Sequence, residues 1–286
     1  MAGFNSTADQ WDRYAEHYAR LTGNRGPFLD GIFSLADSLR PFSTATAILD
    51  NGCGTGNGIS SLIADRGAEL PATVRLLASD YSKGMVAYVN KLKESPENAS
   101  NPLWQRLETH VLDAQDLAPA ILPSSLSHIV SNLVFMAMDD AAKPISASYR
   151  ALEDGGVLAF SVLTDPEWIE IWKYAKHLMA DKNLNLRAAE VWRSKEALER
   201  ISKEAGFTTV EIKETVIPMK HTAESLRVFL NDYIHSENPL AVRAFNRPSP
   251  ELAQKVVDAI IEGVVKEQGA ESIVLKGNVK FVGARK

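Results

Sequence analysis

The chain has 286 residues, 45% of them hydrophobic, and a formal net charge of -5, which is enough apolar material for one large domain carrying an insertion or a cap. The acidic balance offers no footprint for a nucleic-acid backbone, so a neutral or cationic small molecule is the expected partner and a nucleic acid is not. No apolar run approaches a membrane span and the N-terminus lacks both parts of a signal peptide, so a cytoplasmic protein with no membrane partner is expected. Cys53 is the single cysteine, which excludes an internal disulfide and a cysteine metal cluster.

Trp11, Tyr14, Tyr18 and Leu21 share one face of a helix predicted over Ser6–Leu21, with Ser6 and Asp9 as its N-terminal signals. After a turn-rich break from Gly23 to Pro27, a second helix, Phe28–Leu39, is read as packing. An apolar run from Ala47 closes at Asp50, and Gly52, Gly54 and Gly56 follow at alternate positions, a strand running into a glycine turn. Ile59, Leu62 and Ile63 then recur at helical spacing as far as Gly67. The second strand, Val74–Ser79, ends at Asp80 and leads to a helix over Ser82–Glu94; the third, Leu107–Leu112, ends before Asp113-Ala114-Gln115-Asp116. The fourth strand, Ser127–Asn132, runs into Leu133-Val134-Phe135-Met136, and a helix around Ala141–Leu152 turns through Gly155-Gly156 into the fifth strand, Val157–Val162.

Thr164-Asp165-Pro166-Glu167 reads as a helix start, followed by an apolar stripe of Trp168, Ile171, Trp172, Ala175, Leu178 and Met179. Lys195–Ala205, Gly206 and Phe207–Val216 read as helix, cap and strand, and the last strand is placed at Asn278–Ala284. The intervening Pro218–Gly277 is far longer than a hairpin connection and contains helices predicted at Ala223–Ile234 and Pro250–Glu267, joined by a link rich in Pro, Asn and Arg.

Glycine is needed where the backbone takes positive φ or where a ligand lies against the main chain, so the turn after the first strand expects a ligand. The nicotinamide fingerprint G-x-G-x-x-G/A fits neither register, since its third glycine would fall at Asn57 or at Ile59. The chain instead carries an acidic residue, Asp50, two positions before the first glycine of G-x-G-x-G. This stretch resembles motif I of the class I S-adenosylmethionine-dependent methyltransferases, with Asn51 where that family usually carries an aliphatic residue. Its D-N-x-C-G-T-G form resembles small-molecule methyltransferases of fungal secondary metabolism, some acting on thiols and many on hydroxyls.

The resemblance runs from about Thr7 to Val162 and implies S-adenosyl-L-methionine as cofactor and S-adenosyl-L-homocysteine as product. An acid closing the second strand roughly 20 to 30 residues past the glycines is placed to accept hydrogen bonds from two ribose hydroxyls. Asp80 holds that position, and a capping role for the following helix is compatible with it. By resemblance, D-Y-S-x-G-M sets Tyr81 and Met85 against adenine, while V-L-D-A-Q-D-L assigns Asp113 to the exocyclic amine and the Ala114 backbone N–H to a ring nitrogen. The segment W-D-x-Y-A-x-x-Y-x-x-L-T resembles the family's leader helix, with Tyr18 toward the methionine end; the alternative is a helix laid on the core. L-E-D-G-G-V-L-A-F-S resembles the L-x-P-G-G segment, Asp154 replacing proline in a turn that Asp-Gly also suits. Asp50, Gly52, Gly54, Gly56 and Asn132 complete the expected cofactor set, because the crevice of an open α/β sheet lies outside the carboxyl ends of its strands.

The implied fold is α/β, a doubly wound Rossmann-like seven-stranded sheet of order 3-2-1-4-5-7-6 with the last strand antiparallel, N-terminal helices and a helical cap insertion. Residues 1–45 are expected as a helical lid, 46–217 and 277–286 as the core, and 218–276 as a substrate cap or an oligomer surface of a monomer or homodimer. The Asn/Asp-Pro-Pro-aromatic turn of families that methylate nucleobase or amide nitrogens is missing after the fourth strand. Phe135, Met136 and Met138 there suggest an apolar wall instead. Phe135, Trp168, Trp172, Phe229 and Tyr233 are substrate candidates, with His235 and Phe245 as further contacts in the insertion; core packing is the alternative for all of these but Phe135. Asp139 and Asp140 raise a magnesium site, but helix capping is preferred and no metal is assigned. A hydroxyl acceptor would gain from a general base, for which His177, His221 and His235 are candidates, though none of the six histidines stands in a base motif and none is assigned. The expected reaction is in-line methyl transfer to a small-molecule hydroxyl, with sulfur or nitrogen acceptors, cofactor-bound cyclisation, protein methylation and a dehydrogenase as alternatives. The glycine spacing and the lack of a Tyr-x-x-x-Lys pair oppose the last.

Overall fold

The computed structural model describes residues 7–22, 26–138, 140–180, 189–236 and 238–286. The expected cap Ser6, the turn residues 23–25 and Asp139 lie outside them. Helices are α1 (Ala8–Thr22), α2 (Pro27–Leu39), α3 (Asn57–Arg66), α4 (Lys83–Glu94), α5 (Pro102–Gln105), α6 (Ala142–Ala151), α7 (Glu167–Glu170), α8 (Glu190–Arg193), α9 (Lys195–Glu204), α10 (Ala223–His235), α11 (Pro239–Phe245) and α12 (Pro250–Gln268). Strands are β1 (Ala47–Asn51), β2 (Arg75–Asp80), β3 (Leu107–Val111), β4 (Leu126–Asn132), β5 (Leu152–Thr164), β6 (Thr209–His221) and β7 (Ile273–Arg285). None of the described helices is long and apolar enough to cross a membrane.

The strands form one sheet in the order β3-β2-β1-β4-β5-β7-β6, with the last strands antiparallel. β1 pairs in parallel with β2 and β4, β2 with β3, and β4 with β5. The register sets Asn51 beside Ser79, Asp80 beside Val111 and Asn132 beside Ser161, so the chemistry-bearing residues leave the sheet along one edge. β1 is buried at every position, as a central parallel strand covered on both faces should be, and it therefore reads as an apolar run rather than an alternation. On one face α2 starts with Pro27 in its first turn and buries Leu29, Ile32 and Leu35. Gly31 lets it approach β7, because a Cβ there would lie 2.3 Å from the Phe281 ring.

His128 on β4 is a structural histidine. Its ring stacks on Phe42 at 4.9 Å between centroids, and Nε2 lies 2.9 Å from the Arg40 carbonyl, which only accepts, so Nε2 carries a proton. Burial lowers its pKa to about 4 and keeps the ring neutral.

The chain divides into two compact units, one of residues 1–162, 189–214 and 280–286 and the other of residues 163–188 and 215–279. The N-terminal helices thus belong to the first unit, and the second takes in 163–188 as well as the expected insertion. Aromatic packing explains the addition: within the second unit the Trp172 ring lies 5.2 Å from Phe245 and 5.5 Å from Tyr233, and Tyr174 covers Gly263. The stripe expected as one regular helix is the single turn α7 followed by 3-10 turns over Ile171–Leu178. The last strand begins at Ile273 rather than Asn278, and α11 occupies part of the stretch expected as a link.

Candidate active site

The glycine turn is built by its backbone. Gly52, Gly54 and Gly56 take φ of 78°, 52° and 89°, the left-handed region in which a Cβ is strained. The Gly52 and Cys53 N–H groups donate to the Ser79 carbonyl at 2.8 and 2.9 Å, tying the turn to β2. Gly54 N–H donates to Asp80 Oδ2 at 2.9 Å, and Ser82 N–H donates to Asp80 Oδ1 at 2.9 Å. Asp80 is therefore locked in place by backbone N–H groups on both of its oxygens. Burial raises its pKa, and the N–H groups of Ser82 and Gly54 oppose that shift.

Asp50, 2% exposed, accepts the Ile59 N–H through Oδ2 at 2.8 Å and so sits at the N-terminus of α3. Gly58 makes room for it, since a Cβ there would lie 2.4 Å from the same oxygen. Burial pushes its pKa up to about 7; the Ile59 N–H works against this and the neighbouring Asp80 charge adds to it. The Cys53 thiol is raised well above its ordinary value, first by burial and then by Asp50 and Asp80, so it stays a neutral small side chain filling the turn.

These residues line a crevice of about 530 Å³ within the first unit. Tyr18, Asp50, Gly52, Gly54, Asp80, Tyr81, Met85, Asp113, Ala114 and Asn132 all face it. Gly56 does not; it is the N-terminal cap of α3 and faces Val89 and Leu92. Asn132 is held by a reciprocal arrangement: Leu133 N–H donates to Ser161 Oγ at 3.0 Å, and that hydroxyl donates to Asn132 Oδ1 at 2.7 Å. The amide NH₂ of Asn132 is left as the donor. Leu133 itself takes φ 59°, unusual for a branched residue.

That left-handed residue corrects the expectation for Phe135. The strand's alternation ends at Leu133, so Leu133 and Val134 line the crevice, while Phe135 is 0% exposed and packs 5.1 Å from Phe160. Trp172 is buried in the core cluster of the second unit, and Trp168, Phe229 and Tyr233 pack against that cluster. Trp168 covers Gly277, where a Cβ would lie 2.3 Å from its ring. His177 and His235 are exposed, and His221 is half-buried with its pKa lowered by burial, all three in the second unit. Asp140 Oδ1 accepts the Ala142 N–H at 3.1 Å, the capping role, and the described residues hold no group of three His, Cys, Asp or Glu able to bind a metal. Sequence reasoning missed Trp11, Ala137 and Lys143 on the crevice wall, and Asp12 behind it. The W-D pair in the leader segment was the available signal for two of them.

Residues 49–160 match the family described as Methyltransferase domain. The methyltransferase ucsB of an Acremonium species is 33% identical over 224 residues, which are 77% of this chain and 76% of that protein. Acetylaranotin bis-thiomethyltransferase of Aspergillus terreus is 28% identical over 195 residues, covering 65% of this chain and 63% of that enzyme. Among solved structures, a phosphoethanolamine N-methyltransferase 2 of Haemonchus contortus, bound to phosphomonomethylethanolamine and S-adenosylhomocysteine, has a TM-score of 0.55 at 18% identity. That match covers 96% of this chain and 57% of the other, so the chain spans little more than half its length, and the likeness is one of fold.

A sheet wound 3-2-1-4-5-7-6 with a glycine turn after its first strand is the architecture of class I S-adenosylmethionine-dependent methyltransferases. Together with the likeness to ucsB, it places the chain: it belongs to that family and is an enzyme that uses S-adenosyl-L-methionine.

Proposed function

We propose that the enzyme methylates a small molecule, a phenolic hydroxyl of a secondary metabolite, by in-line displacement. The observation that carries this reading is the crevice itself, where Asp50 and Asp80 lie with the glycine turn and Leu133, Val134, Ala137 and Met138 supply an apolar wall. The turn suits close approach of a ligand, since a Cβ on Gly54 would meet nothing nearer than Tyr18 at 3.6 Å. When bound, the cofactor supplies a methyl on a positively charged sulfur, ready for displacement by a lone pair. In this reading Asp80 accepts hydrogen bonds from the ribose hydroxyls, Asp50 attracts the cationic amino-acid end, and Tyr81 and Met85 flank the adenine. Asp113 and the Ala114 N–H take the adenine edge. The Trp11 and Tyr18 rings favour a cation nearby and keep water out.

None of the first unit's histidines, His17, His110 and His128, lines the crevice, and that favours an acceptor that gives up its proton readily, a phenol over an aliphatic alcohol. The test is incubation with methyl-labelled cofactor and a series of phenols, alcohols, thiols and amines. Label on phenolic oxygen is the expected result. A thiol acceptor is the second reading, favoured by the likeness to the Aspergillus terreus bis-thiomethyltransferase; label on sulfur with none on oxygen would replace the first. A changed skeleton without label would point to cyclisation.

A further inference from the structure

α1 meets the crevice through one carboxylate. Asp12 Oδ1 accepts the Ser82 hydroxyl at 2.6 Å and the Gly84 N–H at 2.8 Å, at the first turn of α4. Ser82 Oγ also accepts the Met85 N–H at 3.1 Å, and Ser82 N–H donates to Asp80. A continuous set of hydrogen bonds thus runs from α1 through Ser82 to Asp80 and on to Gly54 in the glycine turn. The two backbones also touch. A Cβ on Gly84 would lie 2.8 Å from both the Cα and the carbonyl oxygen of Asp12. An ion pair between these helices, Glu16–Lys91 at 3.2 Å, is exposed on both sides and holds little. Burial acts to raise the Asp12 pKa, but the Gly84 N–H and the Ser82 hydroxyl outweigh it, so the carboxylate stays ionised.

We propose that Asp12 is a positioning residue: by latching α1 to Ser82 and Gly84 it seats Trp11 and Tyr18 on the crevice and couples retention of the cofactor to the position of Asp80. The inference rests on the reading that this crevice holds the cofactor. Asp12 touches no ligand; it acts through the helix it anchors. Gly84 gives the sharpest lever, because it does not line the crevice and alanine suits a helix better than glycine does. An added methyl there should lift α1 without lowering the helical stability of α4.

The experiment measures S-adenosylhomocysteine affinity and release rate, KM and kcat for the methyl donor, and thermal melting for the unaltered protein, Gly84→Ala, Asp12→Ala and Asp12→Asn. Gly84→Ala and Asp12→Ala should each weaken binding roughly tenfold or more and speed release. KM should rise in step while kcat changes little, and melting should stay near that of the unaltered protein. Asp12→Asn keeps an acceptor oxygen and should recover most of the affinity. Unchanged affinity in both alanine variants, with the unaltered protein binding normally, overturns the latch and leaves the cofactor reading standing. No binding by the unaltered protein overturns that reading first and the latch with it.

Discussion

Asp50 ties protonation to ligand binding. Its carboxyl is raised from the ordinary value of 3.8 to about 7 by burial, so in the free enzyme it is divided between protonated and ionised forms near neutrality. A cationic ligand favours the ionised form and drives the proton off. The sign follows: affinity for S-adenosylmethionine should rise as pH increases through about 7 and fall by up to roughly tenfold per unit below it. Calorimetric titrations between pH 6 and 8, repeated in two buffers of different ionisation enthalpy, should register the released proton. A flat profile with no buffer dependence would remove Asp50 from the ligand's charge balance. At this scale the place of the acids on the crevice was legible in the sequence, because Asp50, Asp80 and Asp113 fall at or just past the ends of β1, β2 and β3. Asp12 was not, since its meaning lies in contacts with Ser82 and Gly84 on another helix. Phe135 was misread because nothing in its neighbours announces that Leu133 turns left-handed.

Among the elements, the glycine turn and α3 are the most constrained. At Gly52 the backbone has φ 78° and a Cβ would lie 2.5 Å from the methyl carbons of Val134. Gly52→Ala should cost about 1 to 2 kcal/mol from the backbone alone, with a further loss from the clash. Denaturant midpoints would show it, and adding Val134→Ala, which removes the two methyl carbons and leaves Cβ at 3.0 Å, should restore most of the clash component but not the backbone component. Full restoration would mean that φ carries no strain here. The helices and parallel strands of the first unit were readable because buried strands bounded by glycine and aspartate leave short apolar runs. Tertiary packing overrode periodicity at 171–178, where the aromatic stripe wraps onto α12 as 3-10 turns, with Tyr174 against Gly263. α11 was hidden inside a stretch read as linker. Pro239 at its start was a usable signal, and Asn246 and Arg247 just past its end take φ of 51° and 53°.

At the scale of the whole molecule, the parallel part of the sheet carries the crevice and the second unit has a core of its own. Trp172 is 4% exposed in that core, in ring contact with Tyr233 and Phe245. Trp172→Ala should therefore destabilise the second unit by about 3 to 5 kcal/mol, visible as an earlier calorimetric transition. A substrate-contacting tryptophan would behave differently, raising the acceptor KM with melting unchanged. The boundary at 162/163 falls inside β5, so no break in the sequence marks it and only packing partners do.

The central claim is that cofactor binding depends on the acid closing β2, held by the Gly54 and Ser82 N–H groups. Its most direct test is calorimetric titration of S-adenosylhomocysteine into the unaltered protein and into Asp80→Ala. Binding by the first is expected, with a loss of about 1 to 3 kcal/mol in the second and the fold retained. Equal affinity in the two proteins would contradict it.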